Sequence, residues 1–292
     1  MFKRIVVGVD GSPPGFDALA QARRLLAPGG RLVAVTAVNP EIAVHAGFDA
    51  SRIAAQLWAE AGEAREQAER TFADLPHAEA RLVRGRPIPV LLAAVADERA
   101  DLLAVGTHGG TRAAGIVFGS VATAMLHDAP CAVLVARPAA EPEAFPRAIA
   151  LGYDGSATAL EAAAVADGLG EQLAVPVRKL LATGGKPLTL DRLPWLQGLE
   201  SDERHPVDAL LAAAREADLL VVGSRGLHGL AALGSVSERA AHRAPCSVLV
   251  VRPGLAAQED VAAEVPPTAE EPQRRSLDAP TSESGHGENP QA

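Results

Sequence analysis

Short apolar runs alternate with longer amphipathic stretches in the first half of the chain. The run RIVVGV near the start is typical of a strand buried on both faces of a parallel sheet. Ser12 can cap a helix that begins at Pro13, and Phe16, Leu19 and Leu26 share one face of that helix. The same reasoning predicts, in order, strand RLVAVTAV, a helix over 51–73, strand AEARLV, helix IPVLLAAVADE, strand DLLAV, a helix over 120–128 and strand CAVLVA. This alternation predicts a doubly wound parallel α/β sheet.

The pattern occurs twice along the chain. IVVGVDGS at 5–12 matches IALGYDGS at 149–156, ADLLAVGTHG matches ADLLVVGSRG, and APCAVLVARP matches APCSVLVVRP. The offset between matching segments falls from 144 to 115 residues, so the second copy is shortened. We therefore predict two sheets of five-stranded type in tandem, with domains at 1–138 and 146–253 joined by a linker at 139–145.

The composition changes after residue 253. The segment 254–292 is rich in Pro, Glu, Ser and Ala and has no aromatic residue, so we predict that it is disordered. Its eight acidic residues and two arginines account for most of the net charge of −9. An acidic chain is a poor partner for nucleic-acid phosphates, and we expect no nucleic-acid binding.

The positions of the cysteines and the hydropathy of the chain indicate the cellular compartment in which the protein is expected. Cys131 and Cys246 each precede an apolar run at equivalent places in the two copies, which is typical of buried strand starts in a reducing compartment. No apolar run approaches the length of about 18 residues that a membrane span requires. The start MFKRIVVGVD lacks the pattern of a secretory signal. We expect a soluble cytoplasmic protein with no membrane partner.

A glycine-containing stretch, VGTHGGTRAAGIVFGSV, follows the fourth predicted strand. Gly106 and Gly109 permit a tight exit from the strand and a close approach of backbone to a ligand. Gly119 and Ser120 begin a helix, whose first N–H groups lack partners and favour an anion. This spacing favours a phosphate site over ordinary turn glycines. If the first and fourth strands are neighbours, the loops after both face one crevice.

Other polar residues near this crevice have two interpretations. Asp10 can accept a hydrogen bond from an adenine amino group or a ribose hydroxyl, or it can cap the turn DGSPPG. Arg112 is a candidate phosphate partner or a solvated loop arginine, and His108 is typical of a solvated loop histidine. No GxxxxGK[ST], GxGxxG, CxxC or HExxH motif is present, so we expect no P-loop and no metal site.

VVGVDGS, VGTHGGTRAAGIVFGSV and APCAVLVARP together resemble the universal stress protein family, in its tandem arrangement. The spacing G-x2-G-x9-G-S is the ATP-binding signature of the nucleotide-binding members, and this chain matches it without a gap. The resemblance implies an adenine nucleotide alpha hydrolase-like fold in each repeat. It implies nucleotide contacts for Asp10, Gly11, Ser12, Ala37, Gly106, Thr107, Gly109, Arg112, Gly119, Ser120 and Val121.

The resemblance also assigns roles within this set. Asp10 would contact the adenosine, Ala37 would line the adenine pocket, and the Gly-Ser turn would hold the phosphates of ATP, with or without Mg²⁺. Ala122 departs from the pattern, because relatives often carry a Ser or Thr there, and Thr123 is a candidate substitute. No acidic residue lies in 106–121, and nothing nearby has the pattern of a base or a water-positioning group for phosphoryl transfer. We therefore expect a non-enzymatic, ATP-binding regulatory module of the stress response, with a slow ATPase and a nucleotide-free interaction scaffold as alternatives.

The two repeats are expected to differ in binding. The second repeat has seven residues between Gly226 and Gly234, where the first has nine, and it lacks a counterpart of 41–75, including the long helix. We expect it to bind ATP weakly or not at all. The resemblance implies that the repeats pair through their last strands, CAVLVAR and CSVLVVR, which would otherwise be exposed edges. A homodimer of whole chains and an unidentified protein partner both remain open.

Overall fold

The structure is a computed structural model that describes residues 1–107, 119–182, 199–224 and 236–253, with the backbone alone at 44–48. Several predictions fall outside these ranges. They concern Gly109, Arg112, His108, the shortened loop of the second repeat and the disordered tail over 254–292.

Strands and helices alternate along the described residues. The strands are β1 (Phe2–Gly8), β2 (Leu26–Val38), β3 (Ala78–Arg84), β4 (Leu102–Gly106), β5 (Ala132–Ala136), β6 (Ile149–Tyr153), β7 (Val177–Ala182), β8 (Leu199–Asp202), β9 (Leu219–Gly223) and β10 (Ser247–Val251). The α-helices are α1 (Pro13–Leu25), α2 (Ala50–Thr71), α3 (Pro87–Glu98), α4 (Ser120–Asp128), α5 (Ala157–Leu173), α6 (Pro206–Ala213) and α7 (Val236–Arg243). A 3-10 helix of ten residues lies at Pro40–Asp49 and one of three residues at Pro142–Ala144.

All ten strands form one sheet, in the order β3-β2-β1-β4-β5-β10-β9-β6-β7-β8. Each half has the same internal order and parallel pairing, so the doubly wound α/β prediction is confirmed. The two halves meet at β5 and β10, which pair antiparallel with Leu134 opposite Leu249. This seam joins the two five-stranded halves into one mixed sheet.

Helices cover both faces of the sheet, and small aliphatic side chains fill the space beneath them. One core packs α1, α2 and α5 against the sheet, and the other packs α3, α4, α6 and α7 against the opposite face. On α1, the side chains of Ala18, Leu19, Ala22 and Leu25 are fully buried. Their spacing is that of one helix face, as the apolar pattern predicts.

The end of α1 and the presence of β8 differ from the prediction. Leu26 was predicted on the face of α1, but its backbone is extended and it begins β2. Pro28 follows two residues later, and a proline cannot continue the helix. β8 was not predicted, since its sequence, LESD, has a single apolar residue. It forms at the edge of the sheet, where it pairs with β7 alone.

Burial protects both cysteines. Cys131 and Cys246 are free, and burial raises the pKa of each thiol to about 12. Both thiols therefore stay protonated and unreactive near neutral pH. Within the described ranges, every helix is too short or too polar to span a membrane.

Four charged side chains form a ring of ion pairs between β2, β3 and α3. Arg31 contacts Glu79 and Glu98 at 2.7 Å, while Arg81 contacts the same two carboxylates at 2.8 and 2.6 Å. The hydrogen bond from Arg81 is the main cause that lowers the pKa of Glu79 to about 2. Charged residues on β3, at the end of the sheet, are typical of an edge strand that resists pairing with another chain.

This ring predicts an acid-dependent loss of stability. The pKa of Glu79 is lower in the folded chain than in the unfolded one, so its stabilising effect is complete above pH 4.5 and is lost as the pH falls toward 2. Glu79→Gln should reduce that pH dependence by less than about 1 kcal/mol, because the side chain is partly exposed. Urea unfolding midpoints at pH 3 and pH 6 measure the pH dependence of stability in the unsubstituted chain and in the variant. An unchanged difference between the two midpoints would contradict the role of the ring.

Candidate functional site

The candidate site lies where the strand order reverses. β2 pairs with one side of β1 and β4 with the other, and both pairings are parallel. The carboxyl ends of β1 and β4 therefore lie side by side at one edge of the sheet. In doubly wound folds, the crevice at this reversal is the usual place for a ligand.

The loop after β1 is a tight turn that leads into α1. The Asp10 Oδ1 atom accepts hydrogen bonds from the backbone N–H of Ser12, at 3.1 Å, and from the Ser12 hydroxyl. Ser12 is the N-cap of α1 and its Oγ accepts from the Gly15 N–H at 3.4 Å. Gly11 has φ +81°, a conformation that glycine adopts at little cost. The turn-capping interpretation of Asp10 is thus visible in the structure, and Asp10 is an exposed residue at the edge of the sheet.

The middle of α2 packs over this turn. A Cβ at Gly11 would lie 3.3 Å from the Cβ of Ala64, so the helix and the loop are in close contact. On the same side of β1, Ala37 is half-buried near the end of β2 and pairs with Val83. Since Gly8 pairs with Val35, Ala37 lies close to the level of the turn. Together these residues form one wall at the carboxyl edge.

The exit from β4 forms the other side of the crevice. Thr107 is buried, and its N–H donates to the carbonyl of Ala136 at 3.2 Å. The Thr107 carbonyl accepts a hydrogen bond from the N–H of Gly119. The two ends of the glycine stretch are therefore tied together, and α4 starts directly beside the end of β4.

The first turn of α4 is capped by a residue without a side chain. Gly119 is the N-cap, with an extended backbone at φ −79°, ψ 150°, and its carbonyl accepts from the N–H and the hydroxyl of Thr123. Ser120 is exposed and Val121 half-buried, while Ala122 is buried in the core. The Thr123 hydroxyl is thus engaged by the helix backbone. Since the first N–H groups of a helix lack acceptors within it, this end of α4 favours a negative charge.

Gly106 contacts protein on one side. A Cβ there would lie 2.6 Å from the backbone carbon and oxygen of Pro14, in the first turn of α1. Gly223, its counterpart in the second repeat, stands equally close to Thr158. From the sequence, we predicted that Gly106 lets the backbone approach a ligand closely. The close approach visible in the structure is between β4 and α1, and it sets the spacing of the two elements that border the crevice.

Gly106→Ala should therefore destabilise the fold. A methyl group 2.6 Å from a backbone must push the start of α1 away from β4, which costs on the order of 1–3 kcal/mol. Gly62→Ala is the matched control: it lies within α2, where an added Cβ meets nothing within 4 Å. That substitution should stabilise by roughly 0.5–1 kcal/mol. Chemical denaturation measures both, and equal stabilities for the two variants would contradict the packing role of Gly106.

The second repeat preserves the turn after its first strand. Asp154 Oδ1 accepts from the Ser156 N–H at 3.0 Å, Gly155 has φ +79°, and the Ser156 Oγ caps α5. Tyr153 stands where the first repeat has Val9, and its buried hydroxyl has no hydrogen-bond partner among the described residues. The turn alone therefore does not distinguish the two repeats.

The structure brings Asp10, Gly11, Ser12, Ala37, Gly106, Thr107, Gly119, Ser120 and Val121 to one edge of the first half of the sheet. It adds Ala64 and Pro14, which the sequence reasoning missed. Both are ordinary helix residues in the sequence, and only their contacts with two glycines bring them to the site.

Comparison with known proteins gives a consistent family. The universal stress protein family matches residues 1–137 and 198–252. A universal stress protein of Thermus aquaticus is 32% identical over 138 residues, covering 47% of this chain and 100% of the relative. One from Mycobacterium tuberculosis is 28% identical over 304 residues, covering 85% of this chain and 94% of the relative.

A solved structure agrees at the level of the fold. The crystal structure of a universal stress protein from Archaeoglobus fulgidus superimposes with a TM-score of 0.67 at 21% identity. It covers 85% of this chain and 96% of that one, so both halves of the sheet are included. The family match, which spans more than half of the chain, shows that this chain belongs to the universal stress protein family.

Proposed function

We propose that the protein is a non-enzymatic, ATP-binding module of the stress response, and that the first repeat holds the nucleotide. The observation that carries the proposal is the glycine-capped start of α4, which lies beside β4 at the reversal of strand order. A helix start of this kind suits phosphate, because unpaired N–H groups and the helix dipole both favour an anion.

The residues around the crevice fit an adenine nucleotide. Gly119 leaves the first N–H groups of α4 without a capping side chain. The proposed phosphate contacts are Gly119, Ser120 and Val121. On the other side of β4, Asp10 and Ala37 are the proposed contacts for the adenosine, with Ala37 in the wall formed by β2. The bound nucleotide would supply the charge and shape that a protein partner recognises, with or without Mg²⁺.

Two arguments support a binding role over a catalytic one. The Asp10 Oδ1 atom already holds the turn that begins α1, so this oxygen is committed to structure. Phosphoryl transfer also needs a group that activates or orients the attacking nucleophile, and no residue of Ser120–Thr123 is acidic or a histidine. The first turn of α4 therefore offers electrostatic stabilisation alone.

Free, buried cysteines fit a reducing compartment, and we propose a cytoplasmic location.

Nucleotide carried through purification tests the proposal. Mass spectrometry of the released small molecules should find an adenine nucleotide, and calorimetry should measure ATP binding to the stripped protein. Turnover assays with and without Mg²⁺ then separate a binding module from a slow ATPase. A stripped protein that binds no ATP would support the nucleotide-free scaffold, and steady ATP hydrolysis would contradict the non-enzymatic role.

A further inference from the structure

The last backbone carbonyls of α4 lack donors within the helix, and for Leu126 the sequence also excludes a later backbone donor. In an α-helix, the carbonyl of Leu126 would accept from the N–H four residues later. That residue is Pro130, which has no N–H. Leu126 is buried, and a buried carbonyl without a donor is costly. The sequence LHDAP therefore requires a donor from elsewhere in the fold.

Arg252 provides that donor from the second repeat. It follows β10, is 3% exposed, and donates from Nη2 to the carbonyl of Leu126. Its positive charge also lies at the negative end of the α4 dipole, which is the favourable arrangement. A residue that is 126 positions away in the sequence thus completes the last turn of α4.

The arrangement is reciprocal across the seam between β5 and β10. Pro245 leaves the carbonyl of Ala241 in α7 without its donor, in the same way. Arg137, which follows β5, donates to that carbonyl at 2.6 Å and to the carbonyl of His242 at 3.2 Å. Each repeat therefore supplies the arginine that caps a helix of the other. We call Arg137 and Arg252 the exchanged caps.

Both ends of α4 are fixed by contacts outside the helix. The N–H of Gly119 donates to Thr107 at one end, and Arg252 holds Leu126 at the other. His127, in the last turn, lies 3.1 Å from Glu238 of α7. The helix has nine residues and a length of about 13 Å, so a shift at its carboxyl end is transmitted to its first turn.

We propose that Arg252 is a positioning residue for phosphate binding in the first repeat, so that the second repeat completes the site of the first. This inference rests on the proposed function, because it assumes that the start of α4 receives the phosphates. Arg252 acts through α4 and touches no part of the nucleotide. It gives the second repeat a role in binding that does not require a site of its own.

The exchanged caps provide a matched pair of variants for the full-length chain. Arg252→Met removes the donor to α4, and Arg137→Met removes the equivalent donors to α7. Calorimetry with ATP and with adenosine measures each variant. For Arg252→Met we expect ATP affinity to fall about tenfold, within the usual range of coupling between sites. Adenosine affinity should change less than twofold, since adenosine does not depend on the start of α4.

The other variants separate positioning from general stability. Arg252→Lys keeps one charged donor and should recover part of the ATP affinity. Arg137→Met should lose thermal stability to a similar extent and leave the ATP affinity within about twofold. Hydrogen exchange in the free protein should quicken in α4 for Arg252→Met and in α7 for Arg137→Met.

Three results would overturn the inference. Equal weakening of ATP and adenosine by Arg252→Met would assign Arg252 to general stability alone. Equal loss of ATP affinity in both Met variants would remove the specific link to α4. Unchanged exchange in α4 would show that Arg252 does not hold the helix. If the unsubstituted chain binds no ATP, the proposed function fails, and this inference fails with it.

Discussion

Titration calorimetry should give about one ATP per chain, and Gly119→Val should abolish that binding. The backbone at Gly119 has φ −79° and ψ 150°, which valine adopts without strain, so α4 should still form. The branched side chain would occupy the space in front of the first N–H groups of the helix, where the phosphates are proposed to lie. Loss of binding with unchanged helix content and melting temperature would be the expected outcome.

The second repeat supplies the control. Gly234→Val makes the same change in a loop that has seven residues between its glycines, where the first repeat has nine. We expect this variant to retain about one ATP per chain, because the shortened loop cannot follow the same path around a triphosphate. Two equivalent sites per chain, or equal losses from the two substitutions, would refute the asymmetry of the repeats.

Val248→Asp should unfold the seam between the two halves of the sheet. Val248 is fully buried in β10, pairs with Val135 of β5, and belongs to a core that both repeats share. A carboxylate there would lose its water without gaining a partner, which costs several kcal/mol. At roughly 2–4 °C per kcal/mol for a chain of this size, the melting temperature should fall by about 10 °C or more.

A second substitution at the same position separates charge from size. Val248→Ala removes methyl groups alone and should cost on the order of 1–3 kcal/mol. Val133→Asp, on the opposite strand of the seam, should behave like Val248→Asp. Size-exclusion chromatography should show an expanded molecule for both Asp variants. Unchanged melting and an unchanged hydrodynamic size would mean that the seam does not hold the halves together.

Local pattern was a good guide to elements whose ends are marked in the sequence. The helix predicted over 120–128 has the bounds of α4, because a Gly-Ser start and a following Ala-Pro mark both of its ends. β8 has no such signal, since an edge strand of four residues depends on the pairing that β7 offers. The join between the two halves of the sheet depends on tertiary contact. The exposed edges of the last strands and the family resemblance indicated that β5 and β10 would meet, and in the structure they pair antiparallel.

The candidate site was predictable in its backbone features more than in its contacts. Glycine spacing located the loops, and the structure brings the described parts of both loops to neighbouring strands. The contact of Gly106 with Pro14 joins two segments about 90 residues apart. Neither segment carries a sequence pattern that predicts this contact. Arg252 was missed for a similar reason. The sequence feature that relates to Arg252 is Pro130 in the other repeat, which leaves the carbonyl of Leu126 without a backbone donor. Arg252 reaches that carbonyl only because β5 and β10 are adjacent.

The exchanged caps affect the order in which the chain matures during synthesis. Residues emerge from the amino end first, so the residues of α4 are made before the arginine that completes its last turn. Contacts between residues far apart in sequence also form slowly, since a long loop must close before they are gained. The last turn of α4 therefore gains its donor only after β10 has docked. A chain that ends before Arg252 would fold its first repeat without the hydrogen bond to the carbonyl of Leu126.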